Sequence, residues 1–226
     1  MARRPKARRG CLGLSVGGPY RRRACSTGGG LTLALGVPHA MTAVIILAFM
    51  TITTGAMHED GLADCADGFW GGWDKARRLE IMKDSAIGTY GVVALLAVFS
   101  LRWLAITQLL TAGIAPWILC IPAVCSRSAM VAVMARLPNA RDDGLSKSTG
   151  RPGGLQTGIA IFFGVIAAFF APGGAAFAIL LAALLSAASI AQIAKTKIGG
   201  QTGDVLGATQ QFSEVTILIA LAAIAS

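Results

Sequence analysis

The chain has 226 residues, of which 54% are hydrophobic and 14% charged, and its mean hydropathy is +0.65. A soluble domain of this length carries more surface charge, and the apolar residues fall in long blocks rather than at helical or strand spacing, so a greasy soluble bundle is the poorer reading. The net charge of +9 marks no nucleic-acid-binding face, because eight Lys and Arg and no acid lie in residues 1–23, and the other 12 bases nearly balance 11 acids.

Residues 1–37 form a basic, glycine-rich tail, expected to be disordered or atypical and able to touch anionic lipid. It lacks the continuous apolar region of a secretory signal. Residues 38–226 read as one all-α, polytopic helical membrane domain. Apolar blocks at 39–57, 86–113, 114–135, 156–171, 174–194 and 214–226 predict about six transmembrane segments, the last of them short. Five cysteines show no CxxC pair and no metal-ligand spacing to a histidine, which argues against a zinc site and disulfides.

Three polar segments, 58–85, 136–155 and 195–213, are separated from one another by pairs of apolar blocks, so all three are predicted on one face. They carry Lys75, Arg77, Arg78, Lys83, Arg136, Arg141, Lys147, Arg151, Lys195 and Lys197, whereas the opposing turns GIAP (113–116) and APGG (171–174) carry no charge. By the positive-inside rule the shared face is cytoplasmic.

The first polar segment opens HEDGLADCADGFWGG (58–72). On a helix Asp60, Asp64 and Asp67 share one face, and like charges this close persist most easily around a cation. Carboxylates are hard ligands suited to Mg²⁺, which commonly takes one or two of them plus substrate phosphates. A plain solvated helix end, where acids are common, is the competing reading. His58 is a candidate general base, although on a helix it points away from the aspartates. The following RRLEIMKDSAIGTYG (77–91) offers Arg77, Arg78 and Lys83 for phosphate oxygens and Glu80 and Asp84 for a metal, against simple interfacial anchoring.

Asp142, Asp143 and Gly144 mark the second segment. In the third, Gly199, Gly200, Gly203 and Gly207 surround Asp204, a glycine-rich loop able to offer backbone N–H groups to phosphate, without the GK[ST] ending of a Walker A loop. Arg127 inside an apolar block is a functional candidate, while Arg102 is expected to snorkel to the interface.

HEDGLADCADGFWGG and RRLEIMKDSAIGTYGV, then SR (126–127), ARLPNARDDGL (135–145) and GGQTGDVLGATQQFSE (199–214), closely resemble in order and spacing the blocks of the cobalamin synthase (adenosylcobinamide-GDP ribazoletransferase) family, over roughly residues 38–226. Residues 1–37 depart from it, since family members usually open with a hydrophobic helix. The resemblance implies a Mg²⁺-dependent enzyme of the bacterial inner membrane, its active site facing the cytoplasm. Such an enzyme joins α-ribazole or its 5′-phosphate to adenosylcobinamide-GDP and releases GMP. Asp60, Asp64 and Asp67 are the expected catalytic and metal-holding residues, with His58 as a further catalytic candidate and Glu59, Asp84 and Asp204 as further ligands. Arg77, Arg78, Lys83, Arg127, Gly200 and Gly203 are the expected phosphate contacts. The expected partners are these substrates and the lipid bilayer, with no nucleic acid, and a homo-oligomer stays open. Two rivals remain. One is a CDP-alcohol-type phosphotransferase, whose longer motif is not reproduced. The other is a cation transporter, which would want acids near mid-membrane on broken helices.

Overall fold

The computed structural model describes residue 32 and residues 35–225, so the expectation for the tail falls almost wholly outside the described residues. The fold is all-α. Its elements are α1 (His39–Thr53), α2 (Met57–Gly71), α3 (Lys75–Ile81), α4 (Thr89–Thr111), a 3₁₀ turn (Pro116–Leu119), α5 (Cys120–Arg136), α6 (Leu145–Thr149), α7 (Gly154–Phe169), α8 (Ala176–Ile198) and α9 (Gly203–Ala225). Four spans are long and apolar enough to cross a membrane: Thr89–Thr111, Pro116–Arg136, Ala176–Ile198 and Gly203–Ala225. The pair α1 and α2 passes the same test together but is bent by 87°, and α7, with 16 residues, is shorter. At a rise of about 1.5 Å per residue, α7 falls short of a hydrocarbon core about 30 Å thick.

The bend has a local cause. Gly55 (φ 62°) and Ala56 (φ 57°) are consecutive left-handed residues, and Ala56 is the only non-glycine with positive φ among the described residues. That conformation costs an alanine roughly 1–2 kcal/mol. It turns the chain so that α2 starts afresh, with Glu59 and Asp60 in its first turn at the positive end of its dipole.

Helix α9 is the hub, packing on α2, α4, α5 and α8. The approach to α2 is very close: a Cβ on Gly61 would stand 2.8 Å from the Asp204 carbonyl oxygen, and one on Gly207 would stand 3.2 Å from His58 Cα. Small residues at a helix crossing are what membrane helices use to bring backbones together. Buried polar links tie other pairs. Cys125 Sγ donates to Gly164 O at 3.2 Å, Ser128 Oγ to Ala160 O at 2.7 Å, and the Ser186 and Ser213 hydroxyls lie 2.9 Å apart.

Two sequence expectations are overturned. Residues 203–213 are not a glycine-rich loop but the first half of α9, which runs unbroken to Ala225. Hydropathy hides this half because it is polar, yet Thr209, Gln210, Gln211, Ser213 and Glu214 are all buried between helices. Arg102 does not snorkel. It lies past the middle of α4, is 1% exposed, and donates to Glu214 Oε1 at 2.7 Å, Gln211 Oε1 at 2.9 Å and Glu59 Oε1 at 3.4 Å. Two carboxylates and an amide inside the bundle compensate its charge, so it has no need to reach water.

Candidate active site

The three polar segments meet at one end of the bundle. Lys83 Nζ contacts Asp143 Oδ2 at 2.5 Å, and Arg78 Nη1 donates to Lys197 O at 3.0 Å. The backbones around Asn139 and Gln201 pair through Gln201 N to Pro138 O at 2.8 Å and Ala140 N to Gln201 O at 2.9 Å. Gly200 allows this pairing, because a Cβ there would strike Pro138 O. Gly203 begins α9 and has open space beside it.

A cavity of 510 Å³ opens between α2 and the segment leading into α4. Ala56, Glu59, Asp60, Asp64, Lys83 and Asp84 are among the residues that line it. Asp60 and Asp64 are one turn apart on the same face of α2. Asp204 comes from the first turn of α9, which Gly61 brings against α2, and stands within electrostatic reach of Asp60 and Asp64. The Asp60 and Asp64 carboxylates take no hydrogen bond or ion pair within the described residues. Asp204 takes the Thr202 hydroxyl at 3.1 Å and a long contact with Arg141 Nη2 at 3.6 Å. Asp84 also lines the cavity and accepts from Ala86 N at 3.1 Å.

Asp67 behaves differently. Its two oxygens accept from Gly88 N at 2.7 Å and Gly91 N at 2.9 Å, so it caps the first turn of α4 from another helix. Side chains at 88 or 91 would occupy the space the carboxylate fills. Glu59 is 6% exposed. Its Oε1 takes Arg102, Gln211 Nε2 at 2.9 Å and Thr51 Oγ1 at 3.2 Å, while Oε2 has no partner among the described residues. His58 lies against Gly207 of α9 and away from the cavity lining.

The candidate cations also separate. Lys83 lines the cavity. Arg77 pairs with Glu80 at the surface at 2.8 Å. Arg78 directs its guanidinium to the carbonyls of Gly72, Trp73 and Lys197, clasping α2, α3 and α8 together. Arg127 donates to Ala123 O at 2.9 Å and lines a separate, mostly apolar 570 Å³ cavity between α1 and α5. The cation that reaches Asp204 is Arg141, which the sequence reading weighed only for topology. Its position in a polar, acidic turn looked like solvated surface, and no spacing rule links it to residue 204.

The donor set suits a hard divalent cation, since all three converging side chains are carboxylates and two lack any partner. Among the described residues no three His, Cys, Asp or Glu groups already stand at ligating distance. Phosphate oxygens of a ligand would complete such a shell, as is usual for Mg²⁺.

Comparison with known proteins agrees with this geometry. The family described as cobalamin-5-phosphate synthase matches residues 13–222, so the match extends into the basic tail. An adenosylcobinamide-GDP ribazoletransferase of Sinorhizobium medicae is 48% identical over 203 residues, covering 83% of this chain and 76% of its own. One of Bradyrhizobium diazoefficiens is 44% identical over 190 residues, covering 84% and 73%. No solved structure matches. The family match over residues 13–222 and these relatives agree, and the chain belongs to the cobalamin-5-phosphate synthase family.

Proposed function

We propose that the chain transfers α-ribazole, or its 5′-phosphate, to adenosylcobinamide-GDP with release of GMP, in a Mg²⁺-dependent reaction. The names of the relatives support the substrates. The observation that carries the chemistry is the set of unpaired carboxylates, Asp60 and Asp64 with Asp204 beside them, at a cavity that also holds Lys83.

The transfer makes one P–O bond and breaks another. A hydroxyl oxygen of the incoming nucleoside attacks the cobinamide-bound phosphorus. The bond from that phosphorus to the bridging oxygen breaks, its electron pair leaves with GMP, and water takes up the hydroxyl proton. Little covalent work falls to the protein, so positioning and charge neutralisation dominate. Asp60, Asp64 and Asp204 would hold Mg²⁺, with Asp84 also at the cavity, and the ion when bound would neutralise charge on phosphoryl oxygens. Lys83 supplies a second positive charge at the cavity wall. Asp67 and Glu59 position α2, the first by capping α4 and the second through Arg102. The carboxylate stripe thus divides into ligands at 60 and 64 and a structural cap at 67.

The ten bases in the polar segments and the uncharged turns at the other end support an inner-membrane protein whose site faces the cytoplasm. Purified protein in detergent should release GMP from adenosylcobinamide-GDP only when α-ribazole and Mg²⁺ are both present. Turnover that survives EDTA, or GMP release that ignores α-ribazole, would contradict the reading.

A further inference from the structure

The geometry points to Arg141 as the residue that binds the pyrophosphate of the nucleotide-bearing substrate. This rests on reading the acidic cavity as a phosphoryl-transfer site. Three observations carry it.

First, the backbone of Arg141 is built into the end of the bundle. Its loop pairs with the 199–202 turn, and Gln201 adds side-chain bonds, donating to Asn139 Oδ1 at 2.5 Å and accepting from Ser146 Oγ at 2.5 Å. The anchor sits immediately before α9, so Arg141 is held in register with Asp204.

Second, its side chain is confined without being satisfied. It is 17% exposed. Nη2 lies 3.6 Å from Asp204 Oδ2 and Nε 3.4 Å from Asp143 Oδ1, both longer than the roughly 2.7–2.9 Å of a good charge-assisted hydrogen bond. Nη1 is buried with no partner among the described residues. Arg78 and Arg102 differ in that each donates to protein oxygens at 3.1 Å or less through at least two nitrogens, although Arg102 Nε also lacks a partner among the described residues. A buried guanidinium with free N–H groups carries a desolvation cost that a bidentate oxyanion removes.

Third, room is kept for it. Gly144 has φ 92°, and a Cβ there would press within 3.2 Å of Nε and Nη2. Glycine at 144 is favoured by the left-handed backbone, and its missing side chain leaves the guanidinium uncrowded. Asp64 lies within electrostatic reach of Arg141, and Lys83 pairs with Asp143, so acids and bases stand side by side at this end of the bundle. A metal–pyrophosphate complex has charges that would suit this arrangement, with the acids to hold the metal and Arg141 to take phosphate oxygens.

The test compares wild type with Arg141→Met and Arg141→Lys in detergent, by ligand-induced thermal stabilisation and by kinetics. With Mg²⁺ present, GDP and inorganic pyrophosphate should both stabilise wild type, and guanosine should not. Arg141→Met should weaken both ligands and raise the KM for adenosylcobinamide-GDP by roughly 10- to 100-fold, the loss of one charge-assisted contact, with the KM for α-ribazole within about twofold. Arg141→Lys should recover part of the loss. Equal GDP and pyrophosphate binding in wild type and Arg141→Met would overturn the inference, as would matched rises in KM for both substrates. Stabilisation by phosphatidylglycerol but not by GDP or pyrophosphate would reassign the guanidinium to a lipid headgroup and also overturn it. The binding arm decides the question even if GMP release fails, which would instead count against the proposed reaction.

Discussion

Two charged regions of this bundle meet at neighbouring residues of α2 and are built in opposite ways. Around Arg102 every charge has an opposite charge or an amide: Glu59, Glu214 and Gln211 surround one guanidinium, and Gln211 Nε2 donates on to Gln210 Oε1 at 3.0 Å. Gln210 in turn contacts Glu214 and donates to Ser126 Oγ at 3.3 Å. The Asp60 and Asp64 carboxylates lie within electrostatic reach of each other and take no hydrogen bond or ion pair among the described residues. Burial sets the difference. A charge deep in the apolar bundle must be matched by the protein, whereas acids at a cavity can be left for a ligand to match. Neighbouring residues of one motif, Glu59 and Asp60, therefore serve opposite ends: one locks the helix and the other faces the reaction.

The largest expected effect comes from unbalancing the closed region. Arg102→Met strands two buried carboxylates and should destabilise the protein by about 3–5 kcal/mol. Changing Glu59 and Glu214 to Gln in the same chain should recover most of that loss. Thermal unfolding in detergent reads both, and a triple variant no more stable than the single one would show that the lattice is not an ionic unit.

Next in size, Asp60→Asn or Asp64→Asn should lower GMP release by about 10²-fold or more, with no loss of melting temperature. Removing like-charge repulsion should leave stability equal or higher, so a variant that is inactive because it unfolds would contradict the contrast.

A smaller effect is expected where the two regions join. Gly61→Ala places a Cβ against the Asp204 backbone and must part α2 from α9. Overpacking of this kind costs about 1–3 kcal/mol, and the half-saturating Mg²⁺ concentration should rise with it. Unchanged Mg²⁺ dependence would separate the crossing from the site.

The smallest effect lies at the rim. Lys83 holds the Asp143 carboxyl below its usual 3.8 by a hydrogen bond and its charge. A depressed carboxylate contributes stability above the unfolded-state value and loses it as pH falls through the folded one. Wild type and Lys83→Met should therefore differ slightly in melting temperature at pH 6 and converge below about pH 4. A difference that persists in acid would assign the Lys83 effect to packing.

Much of this was legible in the residues. The i, i+4, i+7 spacing of Asp60, Asp64 and Asp67 and the alternation of polar and apolar segments identified the acidic helix and the shared face. The job of Asp67 was not legible, because it depends on where α4 begins. Arg102 was misread because hydropathy measures a residue against lipid and not against the partners a fold supplies. Residues 203–213 failed as a helix for the same reason, their polar side chains being buried against other helices rather than exposed in a loop. Arg141 escaped notice because its role rests on a contact with residue 204, which only the pairing of two distant turns creates.

The account stands or falls on whether the unpaired acids bind a divalent cation. Mn²⁺ binding can be titrated by electron paramagnetic resonance on detergent-solubilised protein with GDP present. Wild type and a Glu80→Gln control should show the same saturable site, and Asp60→Asn, Asp64→Asn and Asp204→Asn should each weaken it by at least about tenfold. Undiminished Mn²⁺ binding in a folded Asp64→Asn protein would contradict it.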